Sequence, residues 1–137
     1  MGLYLCVFDD EQELDGVEVG SYADFNFFRG SVTNTLENGQ AGSLCPLLIN
    51  HIDCDGEWSV EEVNSLQVEL EKIEQAFKAL PPTEYNSEWK KSVAKNIGLK
   101  PKNLYECFFD VDGESIIERL KGLIEKSIES NQPILFQ

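Results

Sequence analysis

The sequence predicts a single α/β or α+β domain over residues 1–137, with a small central sheet of about four strands covered by helices. Three observations carry that expectation. Short continuous apolar runs alternate with segments whose apolar residues recur every three or four positions, the pattern of strands interleaved with amphipathic helices. Hydrophobic residues make up 42% of the chain and include eight Phe, four Tyr and two Trp, which suits a sizeable core and is too aromatic for a disordered chain. No apolar run approaches the roughly 18–20 residues that span a bilayer.

Leu3 to Phe8 is a continuous apolar run bounded by acids and reads as a buried strand. Asp9 to Asp15 reads as an acidic loop, and Val17 and Val19 as a short edge strand. Ser21-x-x-Asp24 resembles a capping box. It opens a helix along which Tyr22, Phe25, Phe28, Val32 and Leu36 recur at helical spacing, with Gly39 placed as a stop. Leu44 to Ile49 is a second strand candidate, Pro46 suiting an edge or a strand start. An acidic turn, His51 to Trp58, leads to the capping box Ser59-x-x-Glu62. The helix beyond it, from about Ser59 to Leu80, carries Val63, Leu66, Leu70, Ile73, Phe77 and Leu80 in steps of three and four, and Pro81-Pro82 ends it.

Ser87 to Ile97 is a shorter helix with Trp89, Val93 and Ile97 on one face and Gly98 as its stop. Asn103 to Phe109 reads as a third strand. Ser115 to Ser130 is a helix lined by Ile116, Ile117, Leu120, Leu123, Ile124 and Ile128. Pro133 interrupts the chain before a last strand, Ile134 to Phe136. The central sheet is thus expected from the runs at Leu3, Leu47, Leu104 and Ile134.

Charge is distributed unevenly. Through Gln75 there are 16 acids and two bases, Arg29 and Lys72; from Ala76 onward there are nine of each. The whole net charge of −14 therefore lies in the N-terminal half. Such a surface attracts cations and basic proteins, and repels nucleic acid and anionic membranes, which excludes both as direct partners. Residues Met1 to Phe8 lack a basic stretch and acids follow at once, so no secretory signal is expected. Four cysteines, Cys6, Cys45, Cys54 and Cys107, include no Cys-x-x-Cys pair, which fits a reduced, cytoplasmic protein.

Three constellations could carry chemistry. Asp53-Cys54-Asp55-Gly56-Glu57 and Asp110-Val111-Asp112-Gly113-Glu114 echo each other, each expected between a strand and a helix. Paired Asp at such turns could hold a divalent metal in an enzyme or metal-binding module, the alternative function for this chain. Calcium-loop spacing fails, because the twelfth positions hold Asn64 and Lys121, and no phosphate-binding glycine loop accompanies the turns. Carboxylates there also serve simply to satisfy exposed amides near helix starts. His51 with Cys54 makes half of a zinc site or a His–Cys pair, but no partner ligands stand at a recognisable spacing. No catalytic residue, cofactor or metal ligand is therefore assigned. The third constellation is the acids of the first half: Asp9, Asp10, Glu11, Glu13, Asp15, Glu18, Asp53, Asp55 and Glu57. If their strands neighbour each other, they merge into one acidic partner-binding face; otherwise they are solvated loops.

The segments Gly2-Leu3-Tyr4-Leu5, Phe8-Asp9 and Gly16 to Phe25 resemble the immunity protein 70 family of bacterial polymorphic toxin systems. So do Asp53 to Ser59, Leu80-Pro81-Pro82, Gly98 to Pro101, Asp110 to Glu114 and the ending Gln132 to Gln137. The resemblance covers nearly the whole chain. Gly30 departs from it, standing where the family is associated with an acidic residue. The resemblance implies a non-catalytic inhibitor that binds the toxin domain encoded beside it, and it brings no catalytic residues. The charge map suits a basic toxin domain. A nuclease is one such partner, since a phosphate-binding surface must be basic.

Overall fold

The computed structural model describes residues 2–51, 56–83, 88–98 and 100–137. Strand β1, Gly2–Asp9, turns at Asp10-Glu11 into β2, Gln12–Ser21, with Asp9 opposite Gln12 and Leu5 opposite Val17. Asp10 adopts a left-handed backbone, φ 56°, which short polar residues tolerate in tight turns. The last strand, β4 (Ile134–Phe136), pairs with β1 on one side and with the two-residue β3 (Glu57–Trp58) on the other. The order is β2-β1-β4-β3, antiparallel throughout. With no parallel pair and no βαβ crossover among the described residues, the architecture is α+β.

Alternation along the strands decides which side chains meet the helices. Leu3, Leu5, Val7, Val17, Val19, Trp58, Ile134 and Phe136 form one buried face. Onto it pack α1 (Tyr22–Thr35) and α5 (Ile116–Ser130), and α3 (Val60–Lys78) packs against α5 within the same core. Phe25, Phe28 and Val32 come from α1; Val63, Leu66, Leu70, Ile73 and Phe77 from α3; Ile116, Ile117, Leu120, Leu123 and Ile124 from α5. Phe28 ties α1 to α3 and to the segment that ends at Phe108, its ring 6.1 Å from Phe77 and 5.2 Å from Phe108.

Both expected capping boxes close. The Ser21 hydroxyl accepts from Asp24 N–H at 3.1 Å while the Asp24 carboxylate accepts from Ser21 N–H at 3.3 Å. Ser59 and Glu62 repeat the arrangement at 3.2 and 3.0 Å. Such caps contribute about 1 kcal/mol each. Gly39, φ +82°, returns its N–H to Thr33 O at 2.9 Å, past the end of α1.

Two expected strands are not strands. Leu44 to Ile49 contains the single-turn helix α2 (Pro46–Ile49), and Asn103 to Phe109 contains a 3-10 turn (Leu104–Cys107). In each case a short apolar run fits either conformation, and end contacts decide. Pro46 stands at the first helical position, where its missing N–H costs nothing. Asn103 Oδ1 accepts from Glu106 N–H at 3.1 Å and starts the 3-10 turn. The sheet instead takes the ten-residue β2, expected only as a short edge around Val17 and Val19, and β3, expected as part of an acidic turn. Among the described side chains of α4 (Glu88–Ile97), Ala94 is buried and Ile97 is exposed. Ser87 and the Trp89 side chain lie outside the described residues.

Candidate functional site

The second face of the sheet carries the residues that alternate with the core set. Tyr4 stands opposite Glu18, Phe8 opposite Glu13, and Cys6 opposite Gly16 and Leu135; Leu135 in turn stands opposite Glu57. One row across all four strands therefore reads Gly16, Cys6, Leu135, Glu57. Tyr4, Phe8 and Leu135 are half-buried and none belongs to the core cluster. Glu13, Glu18 and Glu57 are exposed.

Tyr4 lies across this face. Its hydroxyl donates to Glu13 Oε1, and that contact, with burial second, pushes its pKa up to about 12. Gly16 makes room for the ring: a Cβ there would collide with the Tyr4 hydroxyl and the Glu13 carboxylate. Cys6 is fully buried, its thiol raised by burial and then by the charge of Glu13, so it is not a reactive nucleophile.

The acids of the first half divide into groups. Asp9, Asp10 and Glu11 form the exposed hairpin tip, and Glu13 and Glu18 lie along β2. Glu57 is on β3, at the opposite edge of the sheet, so it does not neighbour the β2 acids but faces them across Phe8, Cys6 and Leu135. Asp15 points to the helix side, 3.9 Å from Arg119 of α5. Asp53 and Asp55, with Cys54, lie outside the described residues.

Asp110 is structural. It is buried, and its Oδ1 accepts from Asp112 N–H at 2.9 Å and Glu114 N–H at 3.1 Å, closing its own turn. Oδ2 lies 3.4 Å from Arg119 Nε. Arg119 also donates to Gly16 O at 2.7 Å, tying the Asp110 turn to β2. The start of α5 is capped separately, by Ser115. Among the described residues no group of three or more His, Cys, Asp or Glu is placed to hold a metal ion. His51 is stacked on Phe136, ring centroids 4.0 Å apart, with Nε2 3.0 Å from Glu57 O.

A second set of polar residues, invisible in the sequence, holds α2 at both ends. Glu37 is buried and accepts from Gly42, Leu44 and Cys45 N–H at 2.9–3.1 Å and from the Thr33 hydroxyl. Burial works to raise its pKa, but the amides of Cys45, Leu44 and Gly42 outweigh it and hold the carboxyl below the usual range. Glu69 of α3 accepts from Leu47 and Leu48 N–H at 3.2 and 3.1 Å; there burial wins and the pKa is raised. At the other end Arg29 donates to His51 O at 2.7 Å and lies within 3.5 Å of Leu48 O and Ile49 O. The one base of the first 71 residues thus serves carbonyl oxygens inside the fold.

These features define a class: a small α+β domain whose sheet turns one face to its helices and an acid-bordered face away from the core. The family model of Immunity protein 70 matches residues 3–136, nearly the whole chain. The chain belongs to that family of immunity proteins of toxin systems, as the resemblance implied. No curated protein and no solved structure matches it. Among the described residues no helix is long and apolar enough to cross a membrane.

Proposed function

We propose that this protein is a cytoplasmic inhibitor that binds its cognate toxin domain without catalysis, through the acidic surface of its N-terminal half. The observation that carries this reading is the disposition of charge. The hairpin tip and sheet edges expose Asp9, Asp10, Glu11, Glu13, Glu18 and Glu57. Arg29, the only base before Lys72, donates to the His51 backbone carbonyl. A field of one sign speeds encounter with a basic partner, to 10⁸ M⁻¹s⁻¹ or more at low salt as an order-of-magnitude figure. A basic toxin domain, of which a nuclease is one kind, is the partner it selects. Asp53 and Asp55, two to four residues before Glu57 in the sequence, are part of the same proposal; Asp15, held at Arg119, contributes field rather than contact.

The test is titration of the adjacent gene's toxin domain with this protein. Inhibition should saturate at a fixed stoichiometry and show no turnover. Neutralising Asp9, Asp10, Glu11 and Glu13 together should slow association and flatten its salt dependence, whereas neutralising Glu125 and Glu129 should do much less. Equal effects from both sets would remove the acidic face from the mechanism. Inhibition at far below one equivalent would replace binding with an enzymatic activity.

A further inference from the structure

An antiparallel sheet that packs helices on one face ordinarily shows polar side chains on the other. Here the two central strands do not. The outward positions of β1 and β4 are Tyr4, Cys6, Phe8 and Leu135, and Tyr4, Phe8 and Leu135 are half-buried outside the core. Among the described residues the large apolar side chains exposed elsewhere are Leu44, Val68, Ile97 and Ile128, scattered on separate elements, which is ordinary for a surface.

The charged residues of the four strands all have one sign. The four strands contain no Lys or Arg, although lysine is a common device for protecting sheet edges. Their acids are Asp9, Glu13, Asp15, Glu18 and Glu57. Glu13 and Glu18 line one edge of the strip, beside Phe8 and Tyr4, and Glu57 the other, beside Leu135. Sign decides the occupant. A second copy of this chain laid face to face would set carboxylate against carboxylate, and phosphate-bearing surfaces would be repelled. A basic protein surface with apolar groups at its centre is complementary at both levels, and matches the anatomy of interfaces with an apolar core and a polar rim.

We infer that the outward face of the sheet, centred on Tyr4, Phe8 and Leu135 and rimmed by Glu13, Glu18 and Glu57, is the contact surface for the toxin domain. This rests on the inhibitor reading above and adds where the contact lies and what anchors it. The eight residues of β1 at about 3.3 Å and three strand spacings of about 4.8 Å give a face of roughly 26 by 14 Å. That is under half of the ~800 Å² per partner in a standard interface, so the Asp9–Glu11 hairpin tip has to join it. The Tyr4–Glu13 hydrogen bond and the space left by Gly16 hold the Tyr4 ring in place before the partner arrives, which limits the ordering cost of binding.

Phe8→Glu and Leu135→Glu test the apolar centre while keeping the sign of the field. Each should leave the association rate unchanged or faster and raise the dissociation rate of the adjacent gene's toxin domain at least about tenfold. Val68→Glu, at an exposed position of α3, should change either rate less than about twofold. Hydroxyl-radical footprinting of the wild-type complex needs no variant: Tyr4, Phe8 and Leu135 should become protected while Val68 and Ile128 do not. A toxin domain that binds the wild-type protein and leaves the three sheet residues unprotected overturns the assignment alone. A wild-type protein that does not bind it overturns the inhibitor reading as well.

Discussion

Two populations of carboxylate share this chain. Glu37, Glu69 and Asp110 are buried, each accepting two or more backbone N–H groups. Asp9, Asp10, Glu11, Glu13, Glu18 and Glu57 are exposed along the hairpin and the sheet edges. By composition the groups are indistinguishable. The difference between them is that the first set substitutes for secondary structure where the backbone cannot satisfy itself, while the second sets the external field. Removing an inward acid should therefore cost stability and removing an outward one should cost association.

The sharpest way to break that division is Glu37→Ala. It strips three loop amides and the Thr33 hydroxyl of their acceptor and should destabilise the protein by about 3 kcal/mol in urea unfolding. A loss below about 1 kcal/mol would mean water replaces the carboxylate readily and Glu37 belongs with the outward set. Asp110→Ala comes next, at about 2 kcal/mol, because it opens the turn and leaves Arg119 without its buried counter-charge. Asp110→Asn keeps an acceptor for the two amides, so it should recover part of that loss. No recovery would assign the whole effect to the ion pair.

The two buried glutamates should respond to pH in opposite directions. Glu37 is held below the ordinary glutamate value of 4.5, so its contribution is complete above that value and fades as pH falls through its lower folded pKa. Glu69 is raised, so its carboxylate burdens the fold at neutral pH, and protonation above 4.5 relieves that burden as pH falls. As pH falls from neutral toward 4.5 the wild type should gain on Glu69→Gln; below about 4.5 it should lose its advantage over Glu37→Gln. Parallel curves for the two variants would show that the amide contacts do not separate the two groups.

Smaller effects calibrate the comparison. Gly30 sits within α1, and a Cβ added there would meet nothing within 4 Å, so Gly30→Ala should stabilise by roughly 0.5–1 kcal/mol, read as a rise in urea midpoint. The outward acids should move stability least. The combined neutral variant of Asp9, Asp10, Glu11 and Glu13 should stay within about 0.5 kcal/mol of wild type while its association slows. A larger stability change would place Glu13, through Tyr4, among the structural carboxylates.

What the sequence determined by itself is what local chemistry dictates. Ser21/Asp24 and Ser59/Glu62 mark helix starts because a hydroxyl and a carboxylate three residues apart satisfy amides within one turn. The stripes of α3 and α5 are legible because their periodicity spans several turns. The confinement of net charge to the first half is legible by counting. Tertiary structure alone decided the rest. It made Leu44 to Ile49 a helix by supplying Glu69 and Arg29 from elements some twenty residues away. It set β4 between β1 and β3, and so put Glu57 across the sheet from Glu13 and Glu18. It turned Asp15 inward to Arg119, and left Tyr4, Phe8 and Leu135 outside the core. The run Leu3 to Phe8 announces a strand apolar on both faces; which face the helices cover depends on register and long-range packing, and no local pattern encodes either.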